Sequence, residues 1–165
     1  MTNNKQKPQE SDFEYPEDME FFVSLLGEDQ LDKNKFDFRD PILKRREFAK
    51  VNKSIMAKLL ADGRNRCELR LLESCNDTGL VLDHIIPLSS NELNKRIRKL
   101  PTPRGKKIAR QSVGSNHPSN LLVACPKCNG YKKHRFIKRV GDKWLIVKGD
   151  DPIWHFNMSN PPKIR

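Results

Sequence analysis

The sequence has no long hydrophobic run, no internal repeat and no low-complexity tract. Its first ten residues lack the apolar stretch of a signal peptide, and no later stretch approaches the roughly 20 apolar residues of a membrane helix. We therefore expect a cytoplasmic protein with no membrane partner. Only 36% of the 165 residues are hydrophobic, so the chain can bury a modest core and an additional staple would not be surprising.

Acidic residues are scarce after the first 40 positions. Residues 1–40 carry five Lys/Arg and eleven Asp/Glu, a net charge of −6, whereas residues 41–165 carry 27 and 10, a net charge of +17. Each Lys or Arg that contacts a phosphate releases counterions, and this favours binding. We therefore expect the strongly cationic region of residues 41–165 to bind a polyanion. Charge alone also fits a merely solvated surface or an anionic lipid.

The first 63 residues divide into a polar tail and two predicted helices. Residues 1–18 resemble a disordered acidic tail, and residues 19–63 a helical segment that packs on the core, starting with a short apolar helix over Met19 to Leu26. The acidic segment is either a solvated arm with one docking helix or a cover for the basic surface. The second helix is predicted to begin at Asp40, which can cap it, with Pro41 in its first turn, and to end at Gly63. Between these ends, four apolar residues recur at helical spacing: Phe48, Val51, Ile55 and Leu59.

This second helix also carries many cations. We expect them on its solvated outer face, where they either contact phosphates or only keep the helix soluble: Lys44, Arg45, Arg46, Lys50 and Lys53.

Residues 64–136 predict a strand, a long loop, a second strand and a helix. The strands fall at residues 80–87 and 121–124, the polar loop at 91–117, and the helix begins at Pro126. In residues 137–165, the Gly141-Asp142 turn joins two extended segments into a hairpin or arm, followed by a tail. The predicted fold class is α+β.

The four cysteines predict a metal site, because an even number in a reducing compartment favours metal over disulfides. Cys125 and Cys128 have the spacing of a zinc knuckle, whereas Cys67 and Cys75 are a looser pair with seven residues between them. We predict a structural Zn²⁺ held by all four thiolates. In an alternative set His134 replaces Cys67, which would then be a small buried hydrophobe.

A second set of polar residues lies on the strands and the last helix of this region. Successive strand residues point to opposite faces, so Asp83 and His84 have different tasks. An Asp from the strand and Asn129 from the helix would supply oxygen ligands for Mg²⁺ or Mn²⁺, and a histidine can deprotonate water near neutral pH. The amide of Asn120 can hydrogen-bond a backbone group or an imidazole.

Three stretches together resemble the HNH endonucleases: Leu82-Asp83-His84-Ile85-Ile86-Pro87-Leu88-Ser89, Asn120-Leu121-Leu122-Val123-Ala124-Cys125-Pro126-Lys127-Cys128-Asn129 and Lys132-Lys133. The resemblance covers about residues 64–136. It implies a small ββα-metal core stapled by zinc, with flanking helices and the C-terminal hairpin or arm. It also implies an HNN variant, since the third motif letter is Asn.

The resemblance implies a role for each motif residue. Asp83 and Asn129 would bind the catalytic Mg²⁺ or Mn²⁺, His84 would activate water, and Asn120 would orient His84. Where some members carry a further histidine ligand this chain has Lys133, which implies a metal shell more dependent on water and phosphate.

The partner implied by charge and resemblance is DNA, most simply a duplex, and pairing of two copies is one way to cut both strands. The candidate nucleic-acid contacts are basic residues of the loop and the last helix, although the loop also fits a solvated insertion: Lys95, Arg96, Arg98, Lys99, Arg104, Lys106, Lys107, Arg110, Lys132 and Lys133. We expect a metal-dependent endonuclease, of restriction type before phage or mobile-element type. A zinc-containing nucleic-acid-binding module without catalysis is the alternative, and a structural zinc domain would explain the cysteines alone.

Overall fold

The computed structural model describes residues 6–100 and 109–147. These residues combine α-helices with three two-stranded antiparallel ribbons, which confirms the predicted α+β class. The helices are α1 (Glu17–Leu26), α2 (Pro41–Ala61), α3 (Glu92–Arg96) and α4 (Pro126–Lys132). The strands are β1 (Val81–His84), β2 (Ser89–Ser90), β3 (Gln111–Ser112), β4 (Leu121–Ala124), β5 (Ile137–Val140) and β6 (Lys143–Ile146). Short 3₁₀ turns cover Glu10–Asp12, Glu28–Gln30, Lys33–Lys35 and Pro118–Asn120.

The first ribbon pairs β1 with β4. Its antiparallel register runs from Val81 opposite Ala124 to His84 opposite Leu121. All four residues of β4 are buried. Cys125 caps α4, which opens with Pro126, a residue whose fixed φ suits the first helical turn. The predicted order of strand, loop, strand and helix is therefore confirmed, and α4 follows directly on a buried strand.

The second ribbon gives structure to part of the predicted basic loop. Ser89 pairs with Ser112 and Ser90 with Gln111, and α3 lies between the two strands in the sequence. A Cβ added at Gly114 would lie 1.9 Å from the carbonyl oxygen of Ile86, so two backbones approach here as only glycine allows. Arg104, Lys106 and Lys107, predicted to contact nucleic acid, lie outside the described residues.

The N-terminal segment packs into the core, which differs from the disordered tail expected for residues 1–18. Phe13 is only 7% exposed, and its ring lies 4.9 Å from that of Phe36 and 6.1 Å from that of Phe22. Phe22 in turn meets Phe136, which follows α4, with 5.7 Å between ring centroids. A lone phenylalanine among polar residues gives no periodic pattern, so the sequence did not predict that Phe13 packs in the core.

Helix α2 begins and ends as predicted. The Asp40 side chain accepts a hydrogen bond from the Ile42 N–H at 2.8 Å, and Gly63 follows the helix with a φ of +86°. Its apolar stripe is less buried than expected, because Leu59 is buried but Val51 is 39% exposed. The half-buried Phe48 contacts the His84 ring, with 4.7 Å between centroids, so α2 borders the candidate site.

Lys44 is a correction to the predicted outer basic face of α2. Its side chain is fully buried, and its ammonium donates to three backbone carbonyls: Asp37 at 2.6 Å, Leu88 at 3.0 Å and Gly114 at 2.7 Å. An ammonium has three protons, so its donors are fully used. Lys44 therefore ties α2 to three other segments of the chain.

We expect Lys44→Met to destabilise the protein by about 2–3 kcal/mol, because it leaves buried carbonyls without a donor. Urea unfolding measures the effect, and Lys50→Met, at an exposed position of the same helix, serves as the matched control. Equal midpoints for the two variants would contradict this role for Lys44.

The third ribbon confirms the predicted C-terminal hairpin. Strands β5 and β6 pair from Ile137 opposite Ile146 to Val140 opposite Lys143, and Gly141 takes a φ of +63° in the turn. Trp144 is 9% exposed and belongs to the core. The predicted tail after this hairpin lies outside the described residues. Within the described ranges, no helix combines the length and the apolar character needed to cross a membrane.

Candidate metal and active site

The four cysteines form one cluster. Their Sγ atoms all lie within 4.8 Å of one another, and the Cys75 and Cys125 sulfurs are 3.9 Å apart. A tetrahedral zinc ion with Zn–S bonds of about 2.3 Å requires sulfurs about 3.8 Å apart. All four thiols are free of disulfides, so the donors suit a structural metal ion such as zinc.

The surroundings of the cluster orient its ligands. The Asp77 side chain accepts a hydrogen bond from the Cys67 N–H at 2.8 Å, which fixes the looser pair despite its wide spacing. Burial opposes ionisation of Cys125, but N–H groups of Asn76 and Cys128 outweigh it and lower the pKa of this thiol to about 6. The thiolate form that binds metal is thus favoured at Cys125.

His134 does not belong to the cluster, whereas Cys67 does. The imidazole is exposed, and its pKa is lowered first by partial desolvation and then by the charges of Arg110, Lys132 and Arg45. The alternative zinc set with His134 in place of Cys67 is therefore not the one that the fold assembles.

We expect one zinc ion per chain in the purified protein and loss of most of it in Cys67→Ser, because three thiolates bind zinc more weakly than four. Metal analysis by inductively coupled plasma mass spectrometry measures the stoichiometry. His134→Ala is the matched control and should keep its zinc. Full zinc occupancy in Cys67→Ser would remove Cys67 from the ligand set.

Asp83 lies on β1, and its carboxylate is buried. Its residue is 9% exposed, Oδ1 accepts the His84 N–H at 2.9 Å, and the buried Oδ2 faces the Lys132 ammonium at 3.3 Å. Burial raises the pKa of this carboxyl, and the charge of Lys132 opposes the rise. A buried carboxylate oxygen is also the kind of ligand that a metal cation binds.

Lys132 lies inside the protein, although the motif placed it among the candidate nucleic-acid contacts. It is 1% exposed, donates to the His84 carbonyl oxygen at 2.8 Å and places its ammonium 3.3 Å from Asp83 Oδ2. This geometry makes it an electrostatic partner of Asp83 rather than a surface contact. Helix α4 is thereby held against β1.

The imidazole of His84 is held by Asn116, a residue that sequence reasoning missed. His84 Nε2 lies 2.9 Å from Asn116 Oδ1, while Asn116 Nδ2 donates to the Lys44 carbonyl at 2.8 Å. Because the amide oxygen can only accept, Nε2 carries the proton and Nδ1 has the lone pair. Burial lowers the pKa of His84 to about 4, and the nearby charges of Lys132 and Lys44 act in the same direction.

Asn120 acts on the backbone next to His84 and not on its ring. The Asn120 side chain is fully buried, accepts the Ile86 N–H at 2.8 Å, and donates to the carbonyls of Ile86 at 3.0 Å and Ser115 at 2.8 Å. All of its protons are used, so the orienting contact expected of Asn120 is made by Asn116 instead. No spacing rule in the sequence distinguishes two asparagines four residues apart.

Asn129 lies on α4 and is half-buried. It precedes Lys132 by three positions, so the two residues share one face of the helix. Lys132 reaches Asp83 on β1. Helical spacing therefore predicts that the Asn129 amide lies on the side of α4 that meets β1.

Among the described residues, the basic side chains predicted to contact nucleic acid are either exposed or paired with carboxylates of the protein. Arg98 pairs with the buried Asp18 at 3.0 Å and lies 4.0 Å from the centre of the Tyr15 ring, and Arg96 pairs with Glu92 at 3.3 Å. Burial raises the pKa of Asp18 to about 6, against the charge of Arg98. Four of the candidates are exposed: Lys95, Lys99, Arg110 and Lys133.

No protein-family model, curated protein or solved structure matches this chain.

Proposed function

We propose that this chain is a metal-dependent endonuclease of the HNH type that hydrolyses phosphodiester bonds of DNA. The observation that carries the proposal is the presence, on adjacent residues of one short strand, of a buried carboxylate and an imidazole whose Nε2 bonds Asn116, which leaves Nδ1 as the base. A carboxylate that can bind a metal ion, next to a histidine that can take a proton from water, suits metal-assisted hydrolysis.

The chain's own groups have separate tasks in this proposal. His84 Nδ1 accepts a proton from the attacking water, and Asn116 and Phe48 fix the plane of the ring. Asp83 and Asn129 would hold Mg²⁺ or Mn²⁺, both of which prefer oxygen ligands. The cation, when bound, would stabilise the negative charge that develops on the phosphate and leaving oxygen.

The substrate class follows from charge. Residues 41–165 carry a net charge of +17, and exposed cations occur on separate segments, among them Arg45 on α2 and Arg110 before β3. Such a surface suits the polyphosphate backbone of a duplex. By analogy at the level of the family, the enzyme we propose is of restriction type, and pairing of two copies would provide one site for each strand.

A second candidate is a zinc-containing nucleic-acid-binding module without catalysis. The specific observation in its favour is the ammonium of Lys132, which lies 3.3 Å from Asp83 Oδ2 and already balances the carboxylate charge. Under this proposal Asp83 and Lys132 are a structural ion pair. DNA affinity without cleavage distinguishes the two candidates.

We expect the wild type to cut DNA with Mg²⁺ or Mn²⁺, to stop in EDTA, and to retain zinc under both conditions. His84→Ala should lower the cleavage rate by about 100-fold or more, as expected when a general base is removed. The assay follows supercoiled plasmid on gels, together with a pool of random-sequence duplexes, so that a rare recognition sequence is represented.

His117→Ala is the matched control, since His117 is exposed and its imidazole bonds Ser119 in its own turn. This variant should cut like the wild type. If His84→Ala keeps its zinc and its circular dichroism spectrum yet cuts as fast as the wild type, the catalytic assignment fails. If wild type binds the duplex pool tightly but cuts none of it with either metal, the binding-module candidate replaces the nuclease.

A further inference from the structure

Three exposed basic side chains from different segments lie close enough for two of them, Arg45 and Arg110, to act electrostatically on the third, His134, on which Asp83 also acts. Arg45 belongs to α2, Arg110 directly precedes β3, and His134 follows α4. Only Arg110 lies in the basic loop. The other two are far from the loop in sequence, so the fold has brought together groups that charge patterning does not connect.

The ribbon of β2 and β3 contacts Arg45 and His134 and directly follows Arg110 in the sequence. The Arg45 guanidinium donates to the Ser89 hydroxyl at 3.2 Å, and the next residue, Ser90, donates from its hydroxyl to the His134 carbonyl at 3.5 Å. Ser90 also pairs with Gln111, the neighbour of Arg110. Two adjacent serines therefore link α2, the end of α4 and the start of β3.

The charges that act on His134 are mainly positive. The charges of Arg45 and Arg110 both act on the His134 ring and lower its pKa, after the larger effect of partial desolvation. Asp83 is the carboxylate that acts on the ring in the opposite sense, and it already faces the Lys132 ammonium. An anion placed among the three side chains would relieve this repulsion.

We propose that Arg45, Arg110 and His134 form a phosphate-binding cluster that holds a backbone phosphate of the nucleic acid beside Asp83 and His84. A guanidinium presents a planar fork of donors that matches two phosphate oxygens, and an imidazole N–H adds a third donor. This inference rests on the proposed function only for the hydrolysis at Asp83 and His84. Phosphate binding itself does not require cleavage.

The test measures binding of a fluorescent 20-base-pair duplex by anisotropy, with EDTA present so that DNA is not cut. We expect Arg45→Gln and Arg110→Gln each to raise Kd about tenfold and to reduce the slope of log Kd against log salt by about 0.9, the value for one lost phosphate contact. His134→Gln should raise Kd by a smaller factor. Arg46→Gln, exposed on α2 beside Arg45, is the matched control and should change neither quantity.

Because Arg45 also bonds Ser89, thermal melting checks that each variant is folded. Arg45→Lys keeps the positive charge but lacks the planar guanidinium, so it separates the effect of charge from that of the paired donors. Partial recovery of the salt slope in Arg45→Lys supports the cluster. Equal affinities and slopes for Arg45→Gln, Arg110→Gln and Arg46→Gln would overturn it. If the variants lose affinity while the wild type cuts no DNA with either metal, the cluster stands and the nuclease proposal fails.

Discussion

The cysteine cluster is the constraint on which the candidate site depends. It joins the segment of Cys67 and Cys75 to the junction between β4 and α4, where Cys125 and Cys128 lie. Zinc binding to four thiolates is worth on the order of 10 kcal/mol, comparable to the whole stability of an ordinary domain. A chain with a modest apolar fraction can thus fix the direction of α4, and with it Asn129 and Lys132, without a large core.

A second set of contacts positions the base. Lys44, Asn116 and Asn120 each bond backbone groups in segments distant in sequence, and together they tie α2 to the chain on both sides of the β2–β3 ribbon. Buried polar groups whose donors and acceptors are all used define one arrangement, because any alternative leaves them unpaired. This network orients the His84 ring, which bonds Asn116 and contacts the ring of Phe48.

Local signals in the sequence predicted the local elements. The cap and stop of α2, the two strands around the loop, the proline that opens α4 and the final hairpin were all recognisable, because each depends on neighbours within a few residues. The tighter cysteine pair was recognisable for the same reason. The looser pair was identified by counting cysteines, and the fold explains its spacing through Asp77.

The errors concern contacts between distant segments. The burial of Lys44 needs three carbonyls that converge only in the fold, and Phe13 enters the core from a polar stretch that shows no period. The motif likewise assigns roles by position, so it named Asn120 for a contact that Asn116 makes and placed Lys132 at the surface. Catalysis and DNA binding remain proposals that depend on this geometry.

The proposed cation at Asp83 can be measured directly. Mn²⁺ titration followed by electron paramagnetic resonance counts the ions bound per chain, with zinc-loaded protein and a duplex in a His84→Ala background that leaves the DNA intact. We expect one tightly bound Mn²⁺ that is lost when Asp83→Asn is added, with zinc content unchanged. Equal Mn²⁺ binding with and without Asp83→Asn would contradict it, because the carboxylate would then serve only as the partner of Lys132.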